Sequence, residues 1–261
     1  MIEVISYGDK LENGTYKVHS KFDGVVNCLS ENNYLTSVVS EKIGEGPLNI
    51  VVKGNINFQE LVIDNENIFF NQTKTALPKK YSSKIETKVI SDLELFKKYL
   101  LNLSSDKSLA FLLDPKRDKN FTTSFEKEFI KRMKAAVELL FSSDFIAGVK
   151  KIKGLGFGLT PSGDDFLCGI LIALNLLEHD FTNVINTIYQ EALGENILSN
   201  ASLLCARDGS LFHRTKKLVQ EISNDEKLEE VIKEFLSIGA TSSADMGVGL
   251  YLGLTRSNVW L

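Results

Sequence analysis

Gly158-Leu159-Thr160-Pro161-Ser162-Gly163-Asp164-Asp165 runs straight into Phe166-Leu-Cys-Gly-Ile-Leu-Ile-Ala-Leu174, an almost unbroken apolar stretch. Gly239-Ala-Thr241-Ser-Ser243-Ala-Asp245 repeats the spacing Gly-x-Thr-x-Ser-x-Asp at an offset of 81, and Met246-Gly-Val-Gly-Leu-Tyr-Leu-Gly-Leu254 follows it. Each copy reads as a loop entering a buried helix. A helix apolar nearly all round belongs in the middle of a domain. Gly169 and Ala173 are four residues apart, as are Gly249 and Gly253, so each helix carries a smooth stripe that another can approach closely. The spacing predicts two pseudo-equivalent central helices with their starting loops side by side.

At the first start, Thr160 is placed to be the N-cap and Pro161 the first helical residue, where its missing N–H costs nothing. The N–H groups of Ser162, Gly163 and Asp164 then point out of the helix with the positive end of its dipole behind them. Gly154, Gly156 and Gly158 allow tight bends just upstream. A phosphate or carboxylate suits such a place. Asp164 and Asp165 complicate it, because carboxylates repel an anion beside them. Either Mg²⁺ bridges them to the anion, with Asp164 and Asp165 as ligands, or one carboxylate turns inward to Thr or Ser hydroxyls. In the second case the motifs are scaffolding, with Asp164 and Asp245 pinning equivalent loops.

Outward from this core the chain changes character. Residues 1–80 read as strands: Val4–Tyr7, Thr15–His19, Val25–Leu29, Tyr34–Val39, Asn49–Val52 and Ile68–Phe70, divided by Gly- and Asn-rich turns. They suggest a small β-barrel or sandwich. Leu77–Lys84, polar and holding Pro78, is the linker candidate. From 81 to 261 the period is helical. Ser91 with Glu94, and Thr123 with Glu126, spell capping boxes. Helical patterns recur over Thr182–Ala206, broken near Gly194, and over Glu226–Leu236, stopped by Gly239. Strands first and helices afterwards predict an α+β fold.

The balance of 30 basic against 34 acidic residues gives a net charge of −4 and no basic stripe, which argues against nucleic-acid binding. Three unpaired cysteines fit a reducing compartment. No signal-like start or bilayer-length apolar run is present, so a cytoplasmic protein is expected. His19, near Asp23, is a candidate general acid or base from the β-rich part; a surface turn histidine is the competing reading. Arg207 could reach an anion, although Arg207-Asp208-Gly209 also reads as a helix end closed by an ion pair. The three histidines share no metal-ligand spacing, and Cys168 reads as core.

His19-Ser-Lys-Phe-Asp-Gly-Val-Val-Asn27, Gly46-Pro47 before Ile50-Val-Val52, Gly154–Gly169, Ser199–Gly209 and Gly239–Gly249 occur in this order. Together they resemble the AllH (YlbF-like) family, the match spanning most of the chain and Leu159–Asp165 being its most diagnostic piece. The resemblance implies a subunit of oxamate carbamoyltransferase in anaerobic allantoin (purine) breakdown, working with FdrA-like and AllG-like subunits. The implied reaction is phosphorolysis of oxalurate to oxamate and carbamoyl phosphate, which feeds a carbamate kinase. In the second motif Ser243 stands where the family often has glycine, which favours the first motif as the ligand site.

Carbamoyl transfer needs a phosphate cradle, donors to the carbamoyl oxygen and a hold on a carboxylate substrate. Gly158, Ser162 and Gly163 suit the cradle, and Thr160, Ser162, Thr241 and Ser243 are candidate donors. Asp164 or Asp165, the candidate catalytic carboxylates, could orient an amide N–H or hold Mg²⁺, and Asp245 is a candidate substrate-binding residue. The expectation is therefore an anion site at Thr160–Asp165. A non-catalytic assembly subunit and another phosphate- or nucleotide-dependent enzyme are the rival readings. A homo-oligomer is left open.

Overall fold

The computed structural model describes residues 2–65, 67–75, 79–85 and 93–260. The first part forms nine strands: β1 (Glu3–Gly8), β2 (Gly14–Phe22), β3 (Val25–Ser30), β4 (Leu35–Ser40), β5 (Asn49–Lys53), β6 (Glu60–Asp64), β7 (Asn67–Phe70), β8 (Thr73–Thr75) and β9 (Lys80–Tyr81). They make one sheet in the order β8-β7-β6-β2-β3-β4-β5-β1-β9. Pairs are antiparallel except β4–β5 and β1–β9. The two edge strands are consecutive in the chain. Thr75 and Lys80 are five steps apart along the chain, a reach of at most roughly 17 Å. The sheet therefore has to curl, and it forms a half-barrel.

Inward-facing Tyr16, Cys28, Val38, Ile50, Phe58, Leu61 and Ile68 fill the curl, and Phe58 meets Phe70 edge-on at 5.0 Å. Strand β6 is not among the six strands expected from the sequence, and β8 and β9 are too short to announce themselves. Lys80–Tyr81 lie in the expected linker, yet Tyr81 is buried and its hydroxyl donates to Leu211 O at 2.8 Å. A tethered edge strand, not a free linker, occupies that stretch; Leu77 and Pro78 lie outside the described residues. Ser210–Lys216 joins this compact unit, which otherwise ends at Lys84. Leu211 N–H donates to Ser83 O and His213 N–H to Glu45 O.

The second unit is helical, giving an α+β chain. Its helices are α1 (Glu94–Leu103), α2 (Ser124–Leu140), α3 (Phe145–Ile152), α4 (Ser162–Leu176), α5 (Thr182–Ala192), α6 (Ile197–Arg207), α8 (Leu228–Leu236) and α9 (Ser242–Arg256), with α7 (His213–Glu221) crossing from one unit to the other along the chain. The Thr123–Glu126 capping box is fully formed. Ser91 lies outside the described residues. The break near Gly194 separates α5 from α6, whose N-cap Asn196 accepts from Leu198 and Ser199 N–H.

Helices α4 and α9 are buried on nearly every face and run parallel, their starts at the same end. A Cβ on Gly169 would lie 2.1 Å from Met246 O, and one on Gly249 would lie 2.1 Å from Phe166 O. Backbone thus meets backbone, an approach that permits Cα–H···O contacts. One turn on, Gly253 faces Ala173. Gly169 matches Gly249, Ala173 matches Gly253 and Phe166 matches Met246, so the two helices are equivalent at an offset of 80. The motif letters repeat at 81 and are one residue out of step. Close packing sets the true register, whereas Ser, Thr and Asp are favoured at helix starts in several positions.

Gly169→Ala should therefore cost about 3 kcal/mol or more, or abolish folding, because backbone cannot move aside as a side chain can. Gly194→Ala, where a Cβ meets only the Lys153 side chain at 3.7 Å, should stay within about 0.5 kcal/mol. Urea denaturation of both variants checks the contrast; equal, small losses would contradict the tight crossing.

Candidate functional site

The loop from Lys153 to Pro161 folds back on the start of α4. Gly156 has φ +121°, and a Cβ there would press on Ser162 N at 2.8 Å. Gly154 N–H donates to Asp164 Oδ1 at 2.7 Å, and Gly163 N–H donates to Leu155 O at 2.8 Å. Asp164 N–H donates to Pro161 O at 2.9 Å. The expected open cradle of Ser162, Gly163 and Asp164 N–H groups is accordingly not formed, since the loop itself satisfies two of the three. Gly163 is glycine because a Cβ would strike Ile152 O at 2.0 Å, not to admit a ligand. Nor is Thr160 the N-cap: Pro161 holds that position and α4 begins at Ser162.

Thr160 instead links the two helix starts. Its hydroxyl donates to Asp165 Oδ2 at 3.0 Å and lies 3.1 Å from Ser242 Oγ. Ser242 also bonds to the Asp165 side chain. Across the pseudo-twofold, Ser162 lies beside Asp245 as Ser242 lies beside Asp165, the relation an offset of 80 requires. Asp245 Oδ1 accepts from Leu109 N–H at 2.6 Å. Ser162 and Thr241 favour its charged form, yet its Oδ2 is buried and makes no hydrogen bond of good geometry.

Thr160, Thr241 and Ser242 are half-buried, Asp165 is buried beneath them, and Asp245 has no exposure at all. Burial pushes Asp165 up to about 8, with the charges of Asp245 and Asp164 adding to it and the Ser242 and Thr160 hydroxyls opposing it. Burial likewise pushes Asp245 up to about 6, opposed by Leu109 N–H and by Ser162 and Thr241.

A third helix points the same way. Asn196 at the start of α6 donates to Leu159 O at 2.8 Å, while Asn175 near the end of α4 donates to Ala206 O at 3.0 Å. Helices α4, α6 and α9 thus turn their positive ends toward the carboxyl pair and its loop. Phe157 and Leu159 are 47% and 55% exposed on that loop, and Phe157 packs on Phe125 and Phe129.

Other sequence candidates lie elsewhere. Ser243 Oγ donates to Ile238 O at 2.9 Å, so the neighbouring Ser242 takes the place expected for it. Arg207 sits near Asn175 at the far end of α4, ten residues or about 15 Å of helix from Asp165. Its guanidinium is paired with Asp208 at 2.7 Å and covers the Tyr189 ring. Gly158 is an exposed loop residue with φ +99°. His19 is an exposed residue of β2 in the other unit, its Nδ1 3.2 Å from Ser20 Oγ. Asp164 faces Gly154 N–H, and no group of three His, Cys, Asp or Glu suited to a metal gathers among the described residues. The two carboxyls have different partners, Asp164 Oδ1 accepting from Gly154 N–H and Asp165 Oδ2 from the Thr160 hydroxyl. Ser242 and Leu109 N–H were missed. Counting back from Gly169 and Gly249, instead of aligning motif letters, would have paired Asp165 with Asp245 and revealed Ser242.

A half-barrel unit joined to a helical unit, with two parallel central helices starting at a hydroxyl-covered carboxyl pair, defines the class. Family profiles match the chain twice: the AllH family N-terminal domain over residues 3–90, and the oxamate carbamoyltransferase subunit AllH over residues 152–254. The chain belongs to the AllH family of oxamate carbamoyltransferase subunits. A subunit works within a complex of several chains. No solved structure matches it. Among the described residues no helix is long and apolar enough to cross a membrane.

The raised pair fixes a pH response. Between the ordinary aspartate value of 3.8 and about 8, the folded chain holds a proton at Asp165 that the unfolded chain has lost. The contribution is complete below 3.8 and disappears as pH rises through about 8. Thermal melts should show stability falling over that window, and falling less in Asp165→Asn. Parallel curves for both proteins would contradict the raised pair.

Proposed function

We propose that this chain contributes the anion- and carbamoyl-binding site of a complex that converts oxalurate and phosphate to oxamate and carbamoyl phosphate. The observation that carries this reading is the Thr160–Asp165–Ser242 triangle over Asp245, set at converging helix starts. The half-buried Thr160 and Ser242 hydroxyls are the groups placed to meet a substrate, and Asp165 fixes their orientation. A carboxyl that keeps its proton near neutral pH removes much of the repulsion an anion would meet there. A protonated Asp165 can donate to one of these hydroxyls and free that hydroxyl's own hydrogen for a carbamoyl oxygen, stabilising the charge that develops on it during attack.

On this reading the partners are FdrA-like and AllG-like subunits, the compartment is the cytoplasm, the pathway is anaerobic allantoin degradation, and a carbamate kinase consumes the product. One observation favours a second role for the loop. Loop and helix start bond to each other, Gly154 N–H to Asp164 Oδ1 and Gly163 N–H to Leu155 O, which suits a rigid strut holding α4. An assembly subunit would need no more than that strut.

Co-expression with the partner subunits separates the two. In an assembled complex Thr160→Val and Ser242→Ala should each lower kcat/KM about 100-fold, the usual loss of an oriented donor. Full activity of both variants in an intact complex would exclude the site, and failure to assemble would mark the strut as the main role.

A further inference from the structure

We propose that the open side of the half-barrel is a second ligand site, taking a small carboxylic acid that carries amino or ureido N–H groups at its other end. A cavity of about 260 Å³ lies there, with room for about eight waters. Its lining comes from β1 and β9 on one side and from β6 and β7 on the other. Strands β2 to β5 stand between those two sides in the sheet, so only the curl brings them face to face. The floor is apolar: Ile63 and Ile68 belong to the inner core, and Leu11 packs against it. A barrel mouth with an apolar floor and a few polar groups is a common place for a small ligand. Every lining residue belongs to the first unit, and none to the helix starts.

The rim carries charges of both signs, and the protein leaves them unmatched. Lys80 stands opposite Tyr7 in the parallel β1–β9 pair, and cross-strand partners share a face of the sheet. Tyr7 packs on the inner core, so Lys80 belongs to the concave face, while Tyr81 turns the other way to Leu211 O. Among the described residues neither the Lys80 ammonium nor the Asp64 carboxylate has a hydrogen bond or ion pair within the protein. Asp9 is held in place by Ser83 N–H, which donates to its Oδ2 at 2.8 Å, and its Oδ1 is buried with no partner. Asn13 donates to Asn65 and braces the β6–β7 hairpin against the start of β2. A simple anion would meet two carboxylates here, and a simple cation would meet Lys80. A ligand with a carboxylate for Lys80 and N–H groups turned to Asp64 and the Asp9 side answers both, and a short carbon link between its ends suits the apolar floor.

Calorimetric titration of the full chain with N-carbamoylglycine tests this. That probe should bind at a single site, whereas acetate and methylurea, each carrying only one of its ends, should bind at least about 10-fold more weakly. Lys80 and Asp64 are exposed, so their replacement leaves the fold intact. Lys80→Ala and Asp64→Asn should each weaken the probe about 10-fold, the usual effect of losing one charge-assisted contact. Lys80→Arg keeps the charge and should stay within about threefold of wild type. Amide NMR shifts on adding the probe should appear at Asp9 and Asn67 and leave Thr160 and Asp165 unmoved. No binding, unchanged affinity in the Ala and Asn variants, or shifts confined to Thr160 and Asp165 would each overturn the site. Acetate binding as tightly as the probe would overturn recognition of the N–H end.

Discussion

The backbone crossing of α4 and α9 at Gly169 and Gly249 is the constraint on which the helical unit depends. Each glycine would place a Cβ 2.1 Å from a carbonyl oxygen of the other helix, so neither helix can slide or rotate without collision. That contact fixes the register of everything one turn earlier. It sets Asp165 and Asp245 at equivalent positions of the two helices and places Ser242 beside both Thr160 and Asp165. The site is a consequence of how two helices pack, more than of how one loop is shaped.

The crossing also explains why the carboxyls are unusual. Parallel helices in close contact bury their first turns together, and the same burial that removes water from Asp165 and Asp245 raises both. Antiparallel packing would have sent one carboxyl to each end of the bundle, with no pair. The dipoles of α4, α6 and α9 and the surrounding hydroxyls offset part of the cost, and burial still outweighs them. Asp164, in the same turn as Asp165, plays another part, holding Gly154 N–H and with it the loop. Adjacent identical residues are thus divided between strut and site by which face of the helix they occupy.

Much of this was legible in the sequence. Alternating Val, Ile and Tyr marked six of the nine strands, the Thr123–Glu126 box marked the start of α2, and apolar runs after each motif marked the two central helices. Three things were hidden. The half-barrel gains β9 and Ser210–Lys216 through backbone bonds between segments far apart in sequence, and no local pattern announces such pairing. The polar α7, His-Arg-Thr-Lys-Lys-Leu-Val-Gln-Glu, has too narrow an apolar stripe to stand out. Most important, letters common to helix starts suggested an offset of 81, while the small residues that govern contact obey 80. Capping chemistry tolerates a shift of one residue; backbone collision does not.

That register is open to one direct measurement. Thr160 and Ser242 side chains lie 3.1 Å apart at their oxygens, close enough for a disulfide, whereas Ser243 turns back to Ile238 O. In a background where Cys28, Cys168 and Cys205 stay reduced, Thr160→Cys with Ser242→Cys should cross-link rapidly under mild oxidation, and Thr160→Cys with Ser243→Cys should not. Cross-linking through position 243 in place of 242 would restore the offset of 81 and dissolve the Asp165–Asp245 pair.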